Sequence, residues 1–155
     1  MRALISQLLA AWRRRRGRRA RGRAGEAKVA AVLDRFAARH GLSVHHGVPL
    51  VTRGGRRGDL DHALHARRAP AFVIAIETKA QRPSPAHLDQ IRAAAQRASR
   101  RHFGGLPQYR IVVHPNSREP VTFDERTAAA RMGLPRLPAY LEALLAGKHP
   151  DRLTR

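Results

Sequence analysis

The stretch AFVIAIETK, Ala71–Lys79, decides the fold. Its apolar, β-rich run places a strand at the centre of a sheet, covered on both faces. The run then ends on charge. Side chains alternate along a strand, so Glu77 and Lys79 point to the same face. Carboxylates and lysines are seldom buried without a partner, and two of them closing a central strand call for a site or a tight ion pair. Lysine is also scarce: 28 of the 31 basic residues are Arg, and Lys79 is one of three, with Lys28 and Lys148.

Upstream, DLDHALHA (Asp59–Ala66) alternates, with Asp59, Asp61, Ala63 and His65 on one face and Leu60, His62 and Leu64 on the other. If the loop to the next strand holds an odd number of residues, as Arg68–Pro70 would, Asp61 falls opposite Glu77 and Asp59 opposite Lys79. Opposed side chains have Cβ atoms about 4.5–5.5 Å apart, and like charges at that distance repel unless a cation or proton lies between them. Before this strand come the glycine-rich turn Arg53–Gly58, a strand over Leu42–Thr52 and a helix over Gly25–His40. The helix carries Val29, Val32, Leu33, Phe36 and His40 at helical spacing, and Gly41 ends it. Glu26 belongs to the same inward stripe, where a carboxylate needs a reason.

Downstream, Ser84 is an N-cap and Pro85 a favoured first residue for a helix running to His102, with Arg92, Arg97, Arg100 and Arg101 on its outer face. YRIVVH (Tyr109–His114) is a further strand. Thr122 with Glu125 has the spacing of a capping box for a short helix through Met132, and Pro138 opens a last helix ending at Gly147. The expected fold is therefore α/β, with the order αβββαβ around a central mixed sheet flanked by helices, and two short C-terminal helices.

The chain has 155 residues, a net charge of +20 and no cysteine. That length suits one domain; the lack of cysteine excludes a disulfide framework or thiolate chemistry, and the cytoplasm is the default compartment. Met1–Ala24 holds nine basic residues and no acidic one, so the chain divides into a basic arm (1–24), amphipathic or disordered, and a single domain (25–155). The arm is too short in apolar residues to span a bilayer. It could lie along nucleic acid or make a peripheral contact with an anionic membrane. For the whole chain, a pI near 12 makes nucleic acid the expected partner. Arg53, Arg56, Arg57, Arg92 and Arg97 are the candidate phosphate contacts.

Carboxylate oxygens select hard cations, and Mg²⁺ is typically held by one or two carboxylates together with water and substrate phosphate. Asp61 and Glu77 are thus candidate metal ligands. Lys79 would supply positive charge where anionic charge grows in phosphodiester hydrolysis. Other readings of the polar residues are weaker. His45 and His46 are neighbours on a strand and cannot share an ion, and His62 faces away from Asp61. The aromatics Phe36, Phe72, Phe103 and Tyr140 sit at core positions, which disfavours a base-stacking platform.

Taken together, Gly25–Glu26 on a helix, DLDH (Asp59–His62), IETK (Ile76–Lys79) and a later helix with Gln90 resemble the PD-(D/E)XK nuclease superfamily. Within it they are most similar to the nuclease-related domain, NERD. The likeness covers roughly Gly25 to His114, with Ala80 and Gln81 standing where that domain often has an asparagine and an aromatic residue. The resemblance implies a restriction-endonuclease-like core and Mg²⁺-dependent cleavage of DNA, with Mn²⁺ able to substitute. By position it makes Asp61 and Glu77 the metal ligands and Lys79 the residue that assists the attacking water. Glu26 would complete the metal or water shell, and Gln90 would support the site. The alternative is a basic nucleic-acid-binding module that keeps the fold without catalysis.

Overall fold

A computed structural model describes residues 2–51, 55, 57–68 and 70–154, those at 2–20, 57 and 154 by their backbone alone. The chain runs α1 (Arg2–His40), β1 (Ser43–Val51), β2 (Arg57–Ala66), β3 (Phe72–Thr78), α2 (Pro85–His102), β4 (Gln108–His114), β5 (Thr122–Asp124), β6 (Ala129–Gly133) and α3 (Leu137–Leu145). The strands form one mixed sheet in the order β1-β2-β3-β4-β6-β5. β1, β2 and β3 pair antiparallel, β3, β4 and β6 pair parallel, and β5 returns antiparallel on β6. The result is an α/β fold with helices on both faces of a six-stranded sheet.

β3 is central for the reason its composition gives. Every residue from Val73 to Thr78 is buried. Val73 and Ala75 pack with Leu88, Ile91, Ala95 and Ala98 of α2, while Ile74 and Ile76 pack with Val29, Leu33 and Phe36 of α1 and with Leu141 of α3. The parallel β3–β4 pair needs a crossover, and α2 supplies it. Ser84 and Pro85 start that helix as expected.

Around the core, α1 begins earlier than the apolar stripe alone predicts, at Arg2. Alanine and arginine are strong helix formers and no proline interrupts them, so the helix propagates back through the basic segment. It ends at Gly41, whose φ of +64° is the left-handed conformation of a helix C-terminus. No helix among the described residues is long and apolar enough to cross a membrane.

The expected helix over Thr122–Met132 is instead the hairpin of β5 and β6. Its turn is built by Asp124, whose carboxylate accepts hydrogen bonds from the Thr127 N–H at 2.9 Å and from the Thr127 hydroxyl. Ala129, Ala130 and Met132 are then buried beside β4, and this pairing outweighs the local capping signal. Only one of the two expected C-terminal helices remains, α3, flanked by short 3-10 turns at Leu134–Arg136 and Pro150–Thr154.

Candidate active site

The β2–β3 ladder runs from Ala66 opposite Phe72 to His62 opposite Ile76. The loop Arg67–Ala71 is thus odd in length, and Asp61 and Glu77 are the next residues along the two strands. Here β2 parts from β3. The Asp61 carboxylate replaces a strand carbonyl, accepting the Thr78 N–H at 2.7 Å. Asp61 returns its own backbone N–H to the Glu77 carboxylate. Lys79, just past the end of β3, donates its ammonium to Glu77 Oε2 at 3.0 Å. Glu77 and Thr78 are buried, whereas Asp61 and Lys79 are half-buried. Asp59 is exposed on the part of β2 that pairs only with β1, so Asp61 is the aspartate that meets Glu77.

The electrostatics follow from this crowding. Burial raises the pKa of Glu77 to about 7, repulsion from Asp61 adds to the rise, and the Lys79 ammonium opposes it. Burial likewise raises Asp61, offset by the Thr78 N–H, by Lys79 and by a hydrogen bond with the Glu77 side chain. Both acids are thus shifted toward their protonated forms, as expected where two like charges are crowded out of water.

Glu26 reaches the site from α1. Gly25 brings it there: a Cβ at this glycine would lie 2.7 Å from Pro115 Cγ and 3.6 Å from Thr78 Cγ2, so only glycine lets the helix sit this close to the ends of β3 and β4. The core-facing position is Gly25 itself, followed by Val29 and Leu33; Glu26 stands beside that stripe and is exposed. The expected inward placement of Glu26 is therefore corrected, because α1 here overhangs the strand ends. Its carboxyl pKa is still raised, first by partial burial and then by Asp61, while Lys79 and Arg23 oppose the rise.

Beyond Lys79 opens a pocket of about 430 Å³ lined by Arg21, Lys79, Ala80, Gln81, His87 and Asn116. His87 escaped the sequence reading, although a polar residue three places after the N-cap Ser84 is the second half of a capping box. Its Nδ1 accepts the Ser84 N–H at 3.0 Å. Gln90, one turn further along α2, lies on the exposed face of the helix. Arg92 and Arg97 are exposed on the same helix, about 8 and 15 Å from His87 along the axis at 1.5 Å per residue. Arg53 and Arg56 lie outside the described residues, and Arg57 opens β2 with its backbone alone described.

The donor set suits a hard divalent cation. Two carboxylates whose proton affinities are both raised by burial gain from a cation between them, and Mg²⁺ keeps several waters, so two protein ligands suffice. Among the described residues no group of three or more histidine, cysteine or acidic side chains is gathered to hold a metal ion. Comparison with family models, curated proteins and solved structures finds no match to the chain.

Proposed function

We propose that this protein is a Mg²⁺-dependent nuclease of the PD-(D/E)XK type, similar to NERD, with a restriction-endonuclease-like core of order αβββαβ, acting on DNA in the cytoplasm. One observation carries the reading: Asp61 and Glu77 meet at the end of the central strand, with the Lys79 ammonium 3.0 Å from Glu77 at the mouth of a basic pocket. A structural ion pair would account for Glu77 and Lys79 but would place no second carboxylate against them. A strand end that crowds two acids and one amine suits phosphodiester hydrolysis.

Asp61 and Glu77 would hold the cation, which when bound polarises a phosphoryl oxygen and acidifies water. Lys79 orients Glu77 and places positive charge beside the phosphate as negative charge develops. Exposed Glu26 faces the solvent side of the pair, where it can hold an attacking water. Because Glu77 carries its proton up to about pH 7, cation binding displaces that proton and tightens as pH rises through that value. The basic residues of the arm and of α2 supply phosphate neutralisation, so affinity falls with salt at a log–log slope of about −0.9 per phosphate contacted on duplex DNA.

The test is incubation of the purified full chain with supercoiled plasmid in Mg²⁺, in Mn²⁺ and in EDTA. Nicking or linearisation is expected with either metal and none with EDTA. Salt-sensitive binding with no cleavage in either metal would overturn the reading in favour of a nucleic-acid-binding module. That no group of three or more histidine, cysteine or acidic side chains is gathered among the described residues is the feature that favours this second reading. The basic arm leaves peripheral membrane contact as a further property, tested by flotation of the chain with anionic vesicles.

A further inference from the structure

Of the side chains that line the pocket beyond Lys79, those of Arg21, Lys79, His87 and Asn116 have donors to offer, while exposed Gln81 carries both a donor and an acceptor on an amide that can turn either end to a ligand. His87 Nδ1 accepts the Ser84 N–H at 3.0 Å and lies 3.3 Å from Ser84 Oγ. A neutral imidazole with Nδ1 used as an acceptor carries its hydrogen on Nε2, so the remaining ring nitrogen is a donor. Asn116 Oδ1 accepts from Lys28 Nζ at 2.9 Å, which leaves its NH₂ as the free end. Arg21 and Lys79 have only donors to offer. No carboxylate is among the lining residues described. A wall of two cations and two neutral N–H donors, with Lys79 held by Glu77, His87 by Ser84 and Asn116 by Lys28, has the chemistry of a receptor for a tetrahedral oxyanion.

We propose that this pocket binds a backbone phosphate of the nucleic acid, with His87 Nε2–H and Asn116 Nδ2–H as neutral donors beside Arg21 and Lys79. The assignment rests on the nuclease reading for its ligand class and extends it by naming the groups that grip the strand next to the acids. Neutral donors add geometry to what the cations supply as charge. The first turn of α2, an 18-residue helix, adds its positive end on the same side. Partial burial, and then the proximity of Lys79, lower the pKa of His87, which favours the neutral ring that the Ser84 contact requires.

Two substitutions separate the structural role of each residue from ligand binding. His87→Glu keeps an acceptor for the Ser84 N–H and removes the donor. Asn116→Asp keeps the Lys28 partner and replaces the NH₂ by an acceptor. His87→Gln keeps both the capping acceptor and a donor, and Ala139→Glu, at an exposed position of α3, introduces a comparable acidic side chain elsewhere. Binding of a short fluorescent DNA duplex is measured by anisotropy in EDTA, and plasmid cleavage is measured in Mg²⁺. His87→Glu and Asn116→Asp should each weaken duplex binding at least tenfold and raise KM with kcat changed less than threefold. Ala139→Glu should stay within threefold of the parent, His87→Gln should recover most of the binding lost in His87→Glu, and all four should unfold within a few degrees of the parent. Parent-like binding by both His87→Glu and Asn116→Asp would overturn the pocket, as would an equal loss in Ala139→Glu. Failure of the parent to cleave would instead remove the nuclease reading, while the EDTA titration would still decide the pocket.

Discussion

Asp61 and His62 are neighbours on β2, and each belongs to a partly buried polar cluster, yet the two clusters resolve burial in opposite ways. On one side Asp61 meets Glu77, both acids are pushed toward their protonated forms, and the pair opens toward a basic pocket. On the other, His62 joins His46 through their Nδ1 atoms at 2.8 Å, and His46 Nε2 donates to Asp34 at 2.9 Å. Burial lowers the pKa of His62 to about 4, so it stays neutral and is only 3% exposed. The two Nδ1 atoms satisfy each other as donor and acceptor, while His62 Nε2 is buried with no hydrogen-bond partner. Two carboxylates cannot do so without a proton or a cation, and that unresolved repulsion marks the acids as a site and the histidines as packing.

The largest effect that would break this contrast is on cleavage. Lys79→Ala and Glu77→Gln should each lower the plasmid cleavage rate by roughly a hundredfold or more, the scale of removing one preorganised group from a transition state. Duplex binding should change less than threefold in Glu77→Gln, while His62→Phe should cleave within threefold of the parent. Equal losses from both sides of β2 would dissolve the distinction.

The next effect is on stability and runs in opposite pH directions. Glu77 binds its proton more tightly in the folded chain than in the unfolded one, so the folded state holds the extra proton between about pH 4.5 and 7. Its contribution is complete below that range and lost as pH rises through about 7. Urea unfolding of the metal-free chain should show stability falling toward pH 8. Glu77→Gln should remove that fall, by on the order of 3 kcal/mol for a shift of about 2.5 pK units. Saturating Mg²⁺ should oppose it in the parent. A parent profile identical to that of Glu77→Gln would show that the crowding is not felt.

His62 contributes the mirror image. Its folded pKa is depressed, so its share of stability is present above about pH 6.5 and lost as pH falls through about 4. His62→Phe, of similar size, should flatten the acid side of the profile by about 1 kcal/mol or more, and Mg²⁺ should leave this limb unchanged. An acid limb indifferent to the substitution would assign it to other groups.

Much of this site was legible in the chain because it depends on parity. A period of two puts Glu77 and Lys79 on one face, and an odd loop brings Asp61 to Glu77; neither step requires knowing what packs above the sheet. Gln90 and His87 show where that reasoning stops. Three residues apart on α2, they differ in use because one lies on the exposed face and the other is turned by Ser84 onto the pocket wall. Glu26 shows the same limit: helical spacing gives its direction relative to Val29 and Leu33, but the overhang of α1 past the strand ends depends on how closely Gly25 approaches Pro115.

By itself the amino-acid order determined the buried central strand, the helix before it and the crossover after it, since each follows from local periodicity, and it made the pairing of the two acids depend on the parity of one loop. Tertiary structure alone decided that Thr122–Met132 is a hairpin, that β2 leaves β3 at His62 so that Asp61 can take the Thr78 N–H, and that Lys79, His87 and Asn116 share one pocket. These depend on contacts between segments far apart in the chain. Burial and cross-strand pairing there outweigh the preferences of any single stretch.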